Sequence, residues 1–89
     1  MIIQLNKFGT TLTSRQDGKE AYNAFLSTLQ SISGNEEIGI DFDGVVTFTP
    51  SWADEFITPI LGTYGNRVKL MHTDNPSVEA TLRLLEKIK

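Results

Sequence analysis

Residues 38–43 read Ile38-Gly39-Ile40-Asp41-Phe42-Asp43, large apolar side chains alternating with small or acidic ones. A period of two belongs to a strand, because successive side chains of an extended chain point to opposite faces. Helical patterns lie on both sides of it. Upstream, Ala21, Tyr22, Phe25, Leu26, Leu29 and Ile32 recur in steps of three and four, the spacing of one helical face. Downstream, Ala53, Phe56, Ile57, Ile60 and Leu61 do the same. A strand held between two such helices is the central strand of a layered α/β sheet, and that excludes most other folds for a short chain.

The flanking residues extend the pattern. Ile2-Ile3-Gln4-Leu5 is β-prone, Phe8-Gly9-Thr10 reads as a turn, and Thr11-Leu12-Thr13 as a second short strand; the two are expected to pair as an antiparallel hairpin. Ser14, with Asp17 three residues on, forms a near capping box for the first helix. Gly34-Asn35 should stop that helix. Phe48-Thr49-Pro50 is extended, because proline disfavours the helical conformation in the residue before it. Ser51 is expected to cap the second helix, and Pro59 to kink it or end it near Thr58. Val68-Lys69-Leu70-Met71 reads as the last strand. Asn75 caps a final helix with Pro76 at its first position and Val78, Leu82, Leu85 and Ile88 as its apolar stripe.

The expected order is β-β-α-β-α-β-α. Helices between strands imply parallel pairs with right-handed crossovers, and the opening hairpin makes the four-stranded sheet mixed. Whether the three helices share one face is open at this level.

The chain has 89 residues, enough for one domain and one modest core. Its net charge of −3 argues against nucleic acid, whose phosphates need a basic face. Arg83, Lys87 and Lys89 are the one basic grouping, and they sit where a helix C-terminus favours cations. No apolar run suits a membrane helix and no secretory leader is visible. With no cysteine, disulfides, thiolate metal sites and thiol catalysis are excluded. A cytoplasmic protein is expected.

Asp41-Phe42-Asp43-Gly44-Val45 resembles the first motif of haloacid dehalogenase-type phosphotransferases. That resemblance implies Asp41 as nucleophile, Asp43 as acid/base, and a magnesium ion between them and the phosphate. It covers a few common residues. The short remainder of the chain lacks the phosphate-binding strand, the further lysine and the second acidic pair that such a site needs.

Read through to Phe56, the same stretch resembles the STAS-like family, small bacterial domains related to anti-sigma-factor antagonists. The matching residues are Ile40-Asp41-Phe42-Asp43-Gly44-Val45 and Ser51-Trp52-Ala53-Asp54-Glu55-Phe56, with Ser14-Arg15 and Gly18 at the start of helix one. The resemblance implies a single domain over residues 1–89 that is not an enzyme and carries no cofactor or metal. It implies a signalling role through a protein partner, of the histidine-kinase ATPase or anti-sigma type. It also implies phosphorylation at the start of helix two, where Ser51 is the candidate and Thr49 a weaker one. A phosphate there would meet free N–H groups and add negative charge to the contact surface. Against this, the residues are Thr49-Pro50-Ser51-Trp52, without the acid and glycine that flank the regulated serine in antagonists. Asp54 and Glu55 also already fill the first turn with negative charge. A plain capping role for Ser51 is the other reading.

The expected binding surface is Asp43, Gly44, Thr49, Ser51, Trp52 and Glu55, on the loop leaving the central strand and the helix after it. Open α/β sheets place ligands at the C-terminal ends of their strands. An acidic chain there suits a basic partner face, and an exposed Trp52 would be a natural hot spot. The bland alternative folds Trp52 over the edge of the core. His72, the only histidine, is expected in a surface or edge role, since a ligand or base role needs partners and the chain has no cysteine and no second histidine.

Overall fold

The computed structural model describes residues 1–88, with side chains through residue 86. Its strands are β1 (Ile2–Gln4), β2 (Thr11–Leu12), β3 (Ile38–Asp41), β4 (Thr47–Phe48) and β5 (Val68–Met71). Its helices are α1 (Arg15–Gln30), α2 (Pro50–Tyr64) and α3 (Pro76–Ile88). β3 is the centre of a parallel three-stranded sheet in the order β1-β3-β5. β2 and β4 form a separate parallel pair, with Thr11 opposite Thr47 and Leu12 opposite Phe48.

Side-chain alternation decides which face is covered. Ile3, Ile38 and Ile40 are buried on one face, while Ile2, Gln4 and Lys69, on the other, are exposed. The helices therefore cover one face of the three-stranded sheet, with α2 in contact with both α1 and α3. A run of aromatic rings ties the layers together. Phe42 meets Phe48 at 5.2 Å between centroids, Phe48 meets Trp52 at 5.8 Å, and Trp52 stacks on Phe56 at 4.9 Å. Such pairs add about 0.5–1.5 kcal/mol each beyond the area they bury.

The three helices, the parallel pairing and the central position of β3 agree with the sequence reading. The opening hairpin and the mixed four-stranded sheet do not: the described residues form five strands in two sheets, and every pairing is parallel. Between β1 and β2 the chain forms a 3-10 turn over Leu5–Phe8 and passes through Gly9 at φ 131°. That turn carries β2 away from β1 instead of folding it back alongside. β2 then pairs with Thr47–Phe48, which shares only Phe48 with the Phe48-Thr49-Pro50 segment that the sequence pattern marked as extended. The other edge of β4 is closed by hydroxyls of α3. Ser77 Oγ accepts from Phe48 N–H at 2.9 Å, and the Phe48 carbonyl accepts from Ser77 Oγ at 2.9 Å and from Thr81 Oγ1 at 2.7 Å.

Helix ends show three further differences. α1 stops at Gln30, with Ser31 as its C-cap, ahead of Gly34. α2 runs on through Pro59 to Tyr64. Its N-cap is Thr49 and not Ser51, because Pro50 takes the first helical position, where a missing N–H costs nothing. In α3, Val78 and Leu85 are buried and Leu82 is half-buried; the expectations for Lys87, Ile88 and Lys89 lie outside the described side chains. Among the described residues no helix is long and apolar enough to cross a membrane.

Candidate interaction site

β3 delivers Asp41 to the rim of the sheet, and the backbone turns there. Val45 N–H donates to the Phe42 carbonyl at 3.0 Å. This puts Gly44 at the third position of a β-turn with φ 85°, a conformation that favours glycine. A Cβ on Gly44 would also come within 3.0 Å of Asn6 Nδ2. Asp41 Oδ1 accepts from Asp43 N–H at 2.9 Å, the local bond by which aspartate shapes a turn. The same oxygen lies 2.7 Å from His72 Nδ1 at the end of β5. His72 has φ 57°, the one left-handed non-glycine residue among those described.

These contacts set the ionisation of both groups. The Asp43 N–H, and secondarily His72, hold the Asp41 carboxyl below its ordinary value. The hydrogen bond to Asp41 raises the His72 imidazole above its own. The pair links β3 to β5 as a charge-assisted bond. No group of three or more histidine, aspartate or glutamate side chains among the described residues is placed to hold a metal ion.

The far side of the loop is held as firmly. Asn75 Nδ2 donates to the carbonyls of Val45 and Val46 at 3.2 and 3.1 Å, while its Oδ1 caps α3 by accepting from Ser77 and Val78 N–H. Val46 and Thr47 N–H both donate to the Thr10 carbonyl. The result is a short loop fixed from four directions, with Val46 at 62% exposure and Asp43 and Gly44 beside it in solvent.

The start of α2 is built differently. Arg15 Nη1 reaches both Asp54 Oδ2 and Glu55 Oε2 at 2.9 Å. Thr49 Oγ1 donates to the Thr13 carbonyl at 2.7 Å. Gly18 lies against the Trp52 backbone, where a Cβ would stand 2.6 Å from the Trp52 carbonyl oxygen. The Trp52 ring is 1% exposed, packed among Phe8, Phe48 and Phe56. Trp52 therefore cannot serve as an exposed hot spot: aromatic neighbours on three sides take it into the core.

The family model for a STAS-like domain of unknown function (DUF4325) matches residues 17–78. The chain belongs to this STAS-like family. No curated protein and no solved structure matches it. Within this STAS-like domain the signature residues have separable tasks. Arg15 and Gly18 on α1 meet Trp52, Asp54 and Glu55 on α2, joining two helices instead of forming an open surface, and Ser14 caps α1. Asp41, Asp43 and Gly44 shape the loop.

Of the residues expected at the binding surface, Asp43 and Gly44 are exposed together on the loop, whereas Thr49 and Ser51 are half-buried. Glu55 is engaged by Arg15. The expected loop spans Val46 without singling it out, and sequence reasoning passed over Asn75 as the loop's anchor and the partner of His72. Val46 was legible as an apolar residue next to a turn. The Asp41–His72 pair was not, because 31 positions separate its members and only the β3–β5 register brings them together.

Proposed function

We propose that this STAS-like domain is a non-enzymatic regulatory module that binds a protein partner through the loop from Asp43 to Thr47. The observation that carries the reading is Val46, a large apolar side chain in solvent on a loop anchored by Asn75, Thr10, Gly44 and Asp41. A loop ordered in advance loses little entropy on binding, so an exposed apolar group on it can contribute to affinity. The Asp41 carboxylate supports the same reading, since its Oδ1 is occupied in shaping that loop and in pairing with His72. The partner class we infer from the family is a histidine-kinase-type ATPase or an anti-sigma-type protein, in the cytoplasm. Ser51, at the second position of α2 and not needed as a cap, is the residue we assign to phosphorylation.

The test is affinity capture from native lysate with the wild-type chain and with Val46→Asp and Asp43→Lys variants of equal stability. We expect an ATPase that the wild type retains and Val46→Asp loses, and that phosphorylates wild type but not Ser51→Ala. Capture unchanged by both loop variants would remove the loop from the interface.

A further inference from the structure

A cleft separate from that loop opens between β2, α1 and the start of α2. It measures about 250 Å³ and is lined by Phe8, Thr11, Leu12, Asp17, Glu20, Ala21 and Trp52. Its parts come from different elements and have different chemistry. Phe8, Leu12, Ala21 and Trp52 make an apolar base. Asp17 and Glu20, one helical turn apart on α1, share the face of Ala21 and stand at the solvent side, both exposed. Neither carboxylate has an ion-pair partner among the described residues, whereas Asp54 and Glu55 nearby share Arg15.

The backbone adds a third element. Thr10 and Leu12 carbonyls accept from β4, and backbone groups of successive residues alternate in direction. The N–H and C=O of Thr11 therefore point away from β4, along an edge that no strand among the described residues covers. The opposite edge of the same small sheet is closed by Ser77 and Thr81. The open edge is the one beside the cleft.

We propose that this cleft receives a basic side chain, arginine or lysine, carried on an extended segment of a protein partner. The long aliphatic stem of such a residue covers apolar surface while its charged head stays at the rim. Here the head would meet Asp17 and Glu20, and a guanidinium would lie beside Phe8, the aromatic residue of the lining that is only partly buried. The volume is below the roughly 300–1,000 Å³ of ordinary small-molecule sites, and fits one side chain. An uncharged occupant would take water from two carboxylates and return nothing. The segment's backbone has the Thr11 edge to pair with. The inference deepens the reading of the domain as an interaction module and rests on it, but it uses other residues.

The experiment follows backbone amide and Trp52 indole resonances of the isotope-labelled full chain. The chain is titrated with acetyl-Ala-Arg-Ala-amide, its lysine counterpart, and the citrulline peptide, which keeps the shape of arginine without the charge. The expected result is saturable shifts at Thr11, Ala21 and the Trp52 indole with the basic peptides only. Asp17→Asn and Glu20→Gln should each weaken binding about three- to fivefold, the range of partly exposed ion pairs. Asp17→Asn leaves the Ser14 cap intact, because that bond uses the Asp17 backbone N–H. Equal shifts with citrulline, shifts spread over the acidic surface without saturation, or none at all would each overturn the proposal. Capture that depends on Val46 would still stand in any of those cases, so failure of the cleft is distinguishable from failure of the interaction reading.

Discussion

Gly18 on α1 lies directly on the backbone of Trp52 on α2. A Cβ at position 18 would sit 2.6 Å from the Trp52 carbonyl oxygen and 3.1 Å from its Cα. Both are backbone atoms of a helix, so no flexible side chain can move aside. This contact brings α1 close enough for Arg15 to reach Asp54 and Glu55 at 2.9 Å. Exposed ion pairs contribute little. The close approach of the helices therefore rests mainly on the glycine and on the aromatic rings beneath it.

Gly18→Ala should destabilise the fold by about 1–3 kcal/mol, the usual cost of overpacking, although alanine is the better helix former. Gly34→Ala is the control: nothing lies within 4 Å of its added methyl, and its effect should be neutral to slightly stabilising. Urea midpoints of the two variants against wild type measure the difference. Equal midpoints would mean that α1 and α2 do not approach this closely in solution.

The cap assignments separate three similar substitutions. Ser14→Ala removes the acceptor of the Asp17 N–H and should cost about 1 kcal/mol. Ser51→Ala removes no cap, since Thr49 holds that position, and should stay within about 0.5 kcal/mol of wild type. Asn75→Ala loses both the α3 cap and the two bonds to the loop, and should be the largest of the three at about 2–3 kcal/mol. Thermal or urea unfolding gives the ranking. A Ser51→Ala loss as large as that of Ser14→Ala would return the cap to Ser51.

The Asp41–His72 pair makes stability depend on pH in a definite direction. His72 is raised by its bond to Asp41. Its contribution is complete below the ordinary histidine value and is lost as pH rises through the raised one. Asp41 is lowered, first by the Asp43 N–H and then by His72. Its contribution is present above the ordinary carboxylate value and is lost as pH falls through the lowered one. The pair therefore supports the fold most between about pH 4 and pH 6.5. His72→Asn keeps a residue that tolerates positive φ but does not titrate. Wild type should lose stability relative to this variant as pH rises above about 6.5. Parallel urea midpoints across that range would show that the pair is not formed in solution.

Much of this architecture is legible without coordinates, because it depends on neighbours in the chain. The alternation from Ile38 to Phe42 defines a strand. The three- and four-residue steps of α1 and α2 define helical faces. Ser14 with Asp17, and Asn75 before Pro76, mark helix starts by local hydrogen bonding. The family resemblance of Asp41 to Val45 and of Ser51 to Phe56 is likewise a property of the string of residues. What only the tertiary structure decided are the matters of long range. β2 pairs with β4 instead of β1 because a 3-10 turn redirects the chain and Ser77 and Thr81 seal the far edge of β4. Trp52 is core and not surface because Phe8, Phe48 and Phe56 converge on it from separate elements. His72 acquires a partner because β5 lies beside β3 in a register that no local pattern records. Local sequence specifies backbone conformation residue by residue, but a side chain's environment is assembled from segments whose separation along the chain carries no information about their distance in space.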